Sequence, residues 1–211
     1  MATPFDQSLK LLYPTPILKH QFEDMEDVNQ ALGELFLQKE QEMPQWRTGN
    51  AQRSNIGGWR SAEDLANWND PNINHLVQRI GQAVKFLNDA RPIQSTSPMK
   101  NTNIYGWANI NRNGQYNSMH IHPGFHWGAV YYVCTGQPEA GLDKNGVLEF
   151  IDPRNAAGAM PIPGYEFGQK YTVTPEAGLL VIFPAWLMHC VHPFFGEGER
   201  ISLAFNISLS D

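Results

Sequence analysis

The sequence predicts an α+β protein in which an N-terminal helical layer packs on a C-terminal antiparallel β-sandwich or barrel. Three observations carry that reading. Two apolar stripes recur at three- and four-residue spacing before residue 95, a series of short β-type segments follows from residue 100, and no helical pattern separates those segments. Parallel strands need crossover helices, so strands without them pair antiparallel. The 211 residues fit one domain, residues 1–211, with helical support over about 1–95 and a barrel core over about 100–211.

In the first stripe, Val28, Leu32, Leu35, Phe36 and Lys39 share one face, and Pro44 stops the pattern. Arg53 to Trp59 then carries Gly57-Gly58, which reads as a turn or a close backbone approach. Ser61-Ala-Glu-Asp64 has the form of a capping box and predicts a short helix to about Trp68. Asp70-Pro71 supplies an N-cap and a first-turn proline for a second long helix, whose stripe is Ile73, Leu76, Val77, Ile80, Val84 and Leu87, ending at Pro92. Strands are predicted at 103–110, 127–134, 147–151, 171–174, 179–183, 188–193 and 200–208, bounded by Gly, Pro and Asn.

Composition excludes several classes. With 42% hydrophobic, 17% charged and 11% aromatic residues the chain is neither disordered nor a coiled coil. Fifteen Lys and Arg against 21 Asp and Glu give a net charge of −6, so no global positive field draws in nucleic acid. The longest apolar run, Leu179 to Phe183, is far below the ~20 residues of a membrane span. Met1 to Leu12 lacks the pattern of a secretory signal, so a cytoplasmic protein with reduced Cys134 and Cys190 is expected. Cys190 adjoins His189 but reads better as a small buried apolar residue than as a reactive thiol.

Of the seven histidines, three fall within seven positions: His120, His122 and His126. In a strand, residues two apart share a face, so His120-Ile121-His122 presents two imidazoles side by side. Neutral imidazole ligates Fe, Zn, Ni and Cu, and His189 offers a third donor from a distant strand. His192 has the opposite parity and should point away, to solvent or a surface hydrogen bond. Pro123-Gly124 breaks the strand before His126, so its direction cannot be carried through. The last strand has one face of Ile201, Leu203, Phe205 and Ile207, which is core, and another of Arg200, Ser202 and Asn206 around a small Ala204. That second face reads as either a solvated surface or a carboxylate clamp, since guanidinium N–H donors match a carboxylate fork. A small dicarboxylate reaching from the clamp to a metal joins the two clusters.

Gly114 through His122, the later His189 followed by Val191 and Pro193, and Arg200-x-Ser202 resemble the Fe(II)- and 2-oxoglutarate-dependent oxygenases, whose fold is the double-stranded β-helix, a jelly-roll or cupin-like barrel. The likeness is to prolyl-hydroxylase-like members and to a bacterial and phage group of unassigned substrate. It extends to Tyr13-Pro-Thr-Pro-Ile17, Ser54 to Trp59, Gly128 to Tyr132, Asp152-Pro-Arg154 and Ala204 to Asn206. The resemblance implies Fe(II), 2-oxoglutarate and dioxygen, with oxidative decarboxylation to succinate coupled to hydroxylation of a small molecule, amino acid or peptide. It implies His120 and His189 as metal ligands, with His122 where most members place Asp or Glu. Arg200 and Ser202 resemble the pair that binds the far carboxylate of 2-oxoglutarate, Tyr132 a hydroxyl beside them, and Asn109 and Asn206 further co-substrate contacts. Trp107, Phe125, Trp127 and Trp186 are near the ligands in sequence and stand as candidate walls, or as core. A homodimer is left open.

The same residues also resemble a cupin, in which Gly114, His120, His122 and His126 form a first motif and Gly178, Pro184 and His189 a second. A cupin dioxygenase or isomerase independent of 2-oxoglutarate would need His126 on the metal. A non-catalytic metal- or sugar-binding barrel is the third alternative.

Overall fold

The computed structural model describes residues 13–44, 54–89, 101–154, 156–160, 162–165 and 167–210. The predicted stop at Pro92 and the residues of the leading segment before Tyr13 lie outside them.

Eleven strands and two long helices make up these residues. The apolar stripe of the first helix becomes α1 (Glu26–Glu42), which buries Leu32 and Phe36. The second becomes α2 (Pro71–Asp89), which buries Ile73, Leu76, Ile80 and Val84. Asp70 caps α2 through Oδ1, which accepts from the N–H groups of Asn72 at 2.8 Å and Ile73 at 3.0 Å. Ser61 does not cap a helix. It is buried, its Oγ accepts from the Ala108 N–H at 2.9 Å and donates to Ala62 O, and only one 3-10 turn, Leu65–Asn67, follows. The hydroxyl is used to satisfy a sheet N–H, which a buried backbone donor requires.

The N-terminal third also supplies strands that the sequence pattern hides: β1 (Leu18–Gln21), β2 (Asn55–Ile56) and β3 (Trp59–Arg60). The remaining strands are β4 (Asn101–Asn111), β5 (Tyr116–His120), β6 (Trp127–Pro138), β7 (Leu148–Phe150), β8 (Tyr171–Val173), β9 (Leu179–Pro184), β10 (His189–Val191) and β11 (Gly196–Ser210). They form two antiparallel sheets, a larger one ordered β1-β9-β6-β11-β4-β3 and a smaller one ordered β2-β5-β10-β7-β8. This is a double-stranded β-helix.

Two apolar clusters hold three layers together. The first lies between the helices and the outer face of the large sheet, where Trp59, Ile110, Tyr131, Ile201, Leu203 and Phe205 meet Leu32, Phe36, Leu76 and Ile80. The second lies between the sheets and includes Tyr132, Leu148, Phe150, Val181, Phe183 and Leu187. Polar links tie helix to barrel: the Tyr131 hydroxyl donates to Asn29 at 2.6 Å, and both oxygens of the buried Glu40 accept from Arg112 at 2.7 and 2.8 Å.

β2 and β3 are joined through Gly57-Gly58 yet belong to different sheets, so this segment crosses the barrel edge. Gly57 has φ +79°, and a Cβ on Gly58 would lie 2.4 Å from Asn111 Nδ2 and 2.7 Å from Asn55 Oδ1. Only glycine tolerates that approach.

Candidate metal and dicarboxylate site

The two halves of the site come from opposite sheets. His120 ends β5 and His189 opens β10, and they are register partners in the small sheet. His122 lies just past the strand, not within it as the H-x-H parity suggests, because the turn at Pro123-Gly124 begins there. Its N–H donates to Ala185 O at 2.8 Å, which folds the ring back toward the other two. The ligand atoms of His120, His122 and His189 lie within 4.8 Å of one another, and Nε2 of His122 and His189 are 3.3 Å apart. Nδ1 of His120 is 2.7 Å from Ser118 O, and Nδ1 of His189 is 2.8 Å from Leu187 O. Those carbonyls require protonated Nδ1, which leaves Nε2 of both rings as a lone-pair donor toward the cluster.

Burial keeps the three rings neutral. Desolvation, reinforced by the charge His120 would carry, lowers His189 to about 3 and His122 to about 4, and burial lowers His120 as well. Arg60 adds positive potential at His120 and His122. Neutral, clustered imidazoles are metal donors; their set of three nitrogens suits Fe(II) and also Zn, Ni or Cu.

Alternation along β11 puts Arg200, Ser202, Ala204 and Asn206 on the inner face of the large sheet, opposite Asn111, Asn109 and Trp107 of β4. The face is an inner wall and not a solvated surface: Arg200 is 1% exposed and Ser202 3%. The Arg200 guanidinium lies over the Tyr132 ring, 5.2 Å from its centroid. Nε and Nη2 of Arg200, the Tyr132 hydroxyl and Oδ1 of Asn109 and Asn206 have no hydrogen-bond partner among the described residues. Burial pushes Arg200 down and Tyr132 up in pKa, the neighbouring groups opposing both shifts. A buried cation with unmet donors is costly, and an anion brought in from solution meets that need. One narrow cavity is lined by His120, His122 and His189 on one side and Tyr132, Arg200 and Ser202 on the other. No acidic residue appears among its described lining residues. The residues present therefore fit both groups: three imidazoles for a metal, and an orphaned guanidinium with an adjacent hydroxyl for a carboxylate.

Of the candidate walls, Trp107 lines the cavity, its ring 6.1 Å from that of His122. The other three do not. Trp127 packs with the cluster under the helices, Phe125 stacks edge-on against Tyr105, and Trp186 is 54% exposed. Asn109 lines the cavity, whereas Asn206 is not among its lining residues. His126 is not brought to the cluster. It is exposed, and its Nδ1 accepts from the Leu209 N–H at 3.1 Å, because the chain after Gly124 turns away to start β6. The metal set that a cupin reading needs is therefore not assembled. On the reverse face of β10, His192 reaches Glu149 at 3.1 Å, and Cys190 is half-buried beside that carboxylate instead of fully buried in apolar surroundings. Glu149 is buried, and Lys144, Lys170 and His192 overcome that desolvation and hold it at about 2.

Sequence reasoning missed Arg60, Ser54 and Asn117. Arg60 is on the inner face of β3 opposite Asn109, and Ser54 and Asn117 line the cavity. The signal was Trp59-Arg60 directly after the glycine pair, a charged residue beside a large apolar one in a short strand.

No described helix is long and apolar enough to cross a membrane. A comparison with the curated proteins gives no match. Among solved structures, a prolyl-4-hydroxylase from Pseudomonas putida is similar at TM-score 0.62 and 15% identity, covering 93% of this chain and 94% of that one. A viral collagen prolyl hydroxylase from Paramecium bursaria Chlorella virus-1, a 2-oxoglutarate complex, gives TM-score 0.56 and 16% identity over 92% and 96%. HygX from Streptomyces hygroscopicus, with nickel, 2-oxoglutarate and hygromycin B bound, gives 0.53 and 15% over 92% and 83%. At these identities the likeness shows the shared double-stranded β-helix. Residues 105–206, from within β4 to within β11, match the family model described as "Putative 2OG-Fe(II) oxygenase". That match spans the three histidines and Arg200, so over this segment the chain is similar to the 2OG-Fe(II) oxygenases.

Proposed function

We propose that the cavity between the sheets is the active site of a 2-oxoglutarate-dependent hydroxylase, with His120, His122 and His189 holding the metal and Arg200 the co-substrate. One observation carries the assignment of roles: Arg200 is buried beneath the histidines with Nε and Nη2 unmet, in a cavity lined by no carboxylate among the described residues. Iron bound at the histidines supplies the dioxygen chemistry that couples decarboxylation of 2-oxoglutarate, to succinate and CO2, with hydroxylation of a substrate C–H bond.

The chain's own residues bind, orient and exclude water. Ser118 and Leu187 carbonyls lock the tautomers of His120 and His189. Arg200 takes the distal carboxylate of the co-substrate through its in-plane N–H edge, Tyr132 and Ser202 add hydroxyl donors, and Ala204 leaves room for the carbon chain between clamp and metal. Gly128 lets Phe183 and His122 pack close: a Cβ there would come 2.7 Å from Phe183 Cε2 and 3.3 Å from His122 Cδ2. Leu148, Phe183 and Val191 add apolar side chains to the wall, which limits water at the reacting centre.

Anaerobic addition of 2-oxoglutarate to the Fe(II)-loaded protein should give the weak visible charge-transfer absorption of the chelate, lost in Arg200→Ala. Under oxygen, succinate should form as 2-oxoglutarate disappears. Absence of both overturns the assignment.

A further inference from the structure

Two arginines are buried along the inner side of the large sheet, and the co-substrate accounts for one. The second, Arg60, is 8% exposed and lies on β3 directly across from Asn109, a cavity residue. Its guanidinium stacks on Trp107 with Cζ 4.2 Å from the ring centroid, and the Trp107 ring lies 6.1 Å from that of His122. Stacking engages the face of the guanidinium, so an anion is recognised by its in-plane N–H edge.

Glu63 is an acidic partner of this arginine, through Nη2. Its side chain is 52% exposed and sits three residues further along, in the loop before the 3-10 turn. Three other arginines are held by both oxygens of one carboxylate: Arg79 by Asp24, Arg112 by Glu40 and Arg154 by Asp152. Glu63, like Asp24, whose side chain is 67% exposed, stands on a solvent-facing loop, and exposed pairs of that kind hold weakly. Ser54 and Asn117 add neutral hydrogen-bonding groups to the lining where β2 pairs with β5.

We propose that Arg60 anchors a carboxylate of the primary substrate, which displaces Glu63 and so sets the rest of the substrate against Trp107 beside the three histidines. The substrate class is thereby a carboxylate-bearing small molecule or acidic peptide. This deepens the hydroxylase reading and rests on it.

Formate tests the anchor, because no shape requirement can exclude it. The full chain is loaded with Zn(II) and saturated with 2-oxoglutarate, and saturation transfer from protein protons to the formate proton is measured by NMR. Glu63→Gln should strengthen the transfer about threefold over the parent, the size expected for releasing an exposed ion pair, and Arg60→Gln should abolish that gain. Equal transfer in the parent and Glu63→Gln overturns the proposal, as does a gain that survives in the Glu63→Gln, Arg60→Gln double variant. Glu63 is exposed, so Glu63→Gln decides the question even if the Arg60 variants fail to fold, which circular dichroism would show. The same spectra read the 2-oxoglutarate methylene protons. Their transfer should persist in Arg60→Gln and vanish in Arg200→Gln; its absence from the parent would overturn the hydroxylase reading separately.

Discussion

His120 and His189 are cross-strand partners in the small sheet, with ring centroids 4.3 Å apart and each Nδ1 fixed by a carbonyl two residues earlier in its own chain segment. The geometry of the metal set is thus written into backbone pairing. Replacing His189 by Ala should lower metal affinity by more than about a hundredfold, beyond what loss of an outer hydrogen bond costs. His126→Ala should leave it unchanged. Metal content after equilibrium dialysis distinguishes the two.

The lowered histidines predict a pH window for the metal-free protein. In the unfolded chain imidazole takes a proton as pH falls through 6.5, whereas folded His122 waits until about 4 and His189 until about 3. The unfolded state therefore binds more protons between those values, and stability present above pH 6.5 is lost as pH falls toward 3. Urea midpoints should drop progressively across that range, since each tenfold change in proton affinity is worth about 1.4 kcal/mol. His189→Phe should flatten the dependence.

Arg200 sets ligand binding against stability. Its guanidinium is buried with two nitrogens unmet, and apolar replacement of a buried charge is often stabilising by about 1–4 kcal/mol. Arg200→Met should raise the urea midpoint of the metal-free protein and abolish 2-oxoglutarate binding. In the parent, saturating 2-oxoglutarate with metal should recover a similar amount, about 2.7 kcal/mol at a hundred times Kd.

Glycine substitutions should separate by position. Gly58→Ala puts a methyl 2.4 Å from Asn111 Nδ2 and 2.7 Å from Ile110 O, and should destabilise the protein by several kcal/mol or displace the segment joining β2 to β3. Gly33, in α1, has nothing within 4 Å of where a Cβ would stand, and Gly33→Ala should stabilise by about 0.5–1 kcal/mol. Thermal unfolding of both variants measures the contrast.

The long helices were legible because their apolar faces repeat over four or more turns, and Asp70-Pro71 marks the start of α2. β1, β2 and β3 were not: two are two-residue strands, and β1 is largely exposed, so none carries a periodic signal. Ser61 misled because capping residues and sheet-bonding hydroxyls look alike in one dimension. At the site, parity along β11 indicated that Arg200, Ser202 and Asn206 share a face but left open which side of the sheet that face meets. Helix packing decides it, since Ile201, Leu203 and Phe205 are claimed by the cluster under α1 and α2. Trp127 and Trp186 show the converse limit, because nearness in sequence to a ligand gives no direction for a ring.

The cavity offers three neutral imidazoles and a guanidinium, and among the described residues no carboxylate of its own. Electroneutrality there has to be imported. A divalent metal arriving alone meets added positive charge, and a dicarboxylate arriving alone meets only Arg200, so each is held best when the other is present. On the proposed assignment the centre would act as a coincidence detector, filled only when iron and 2-oxoglutarate are both present and emptied when either falls.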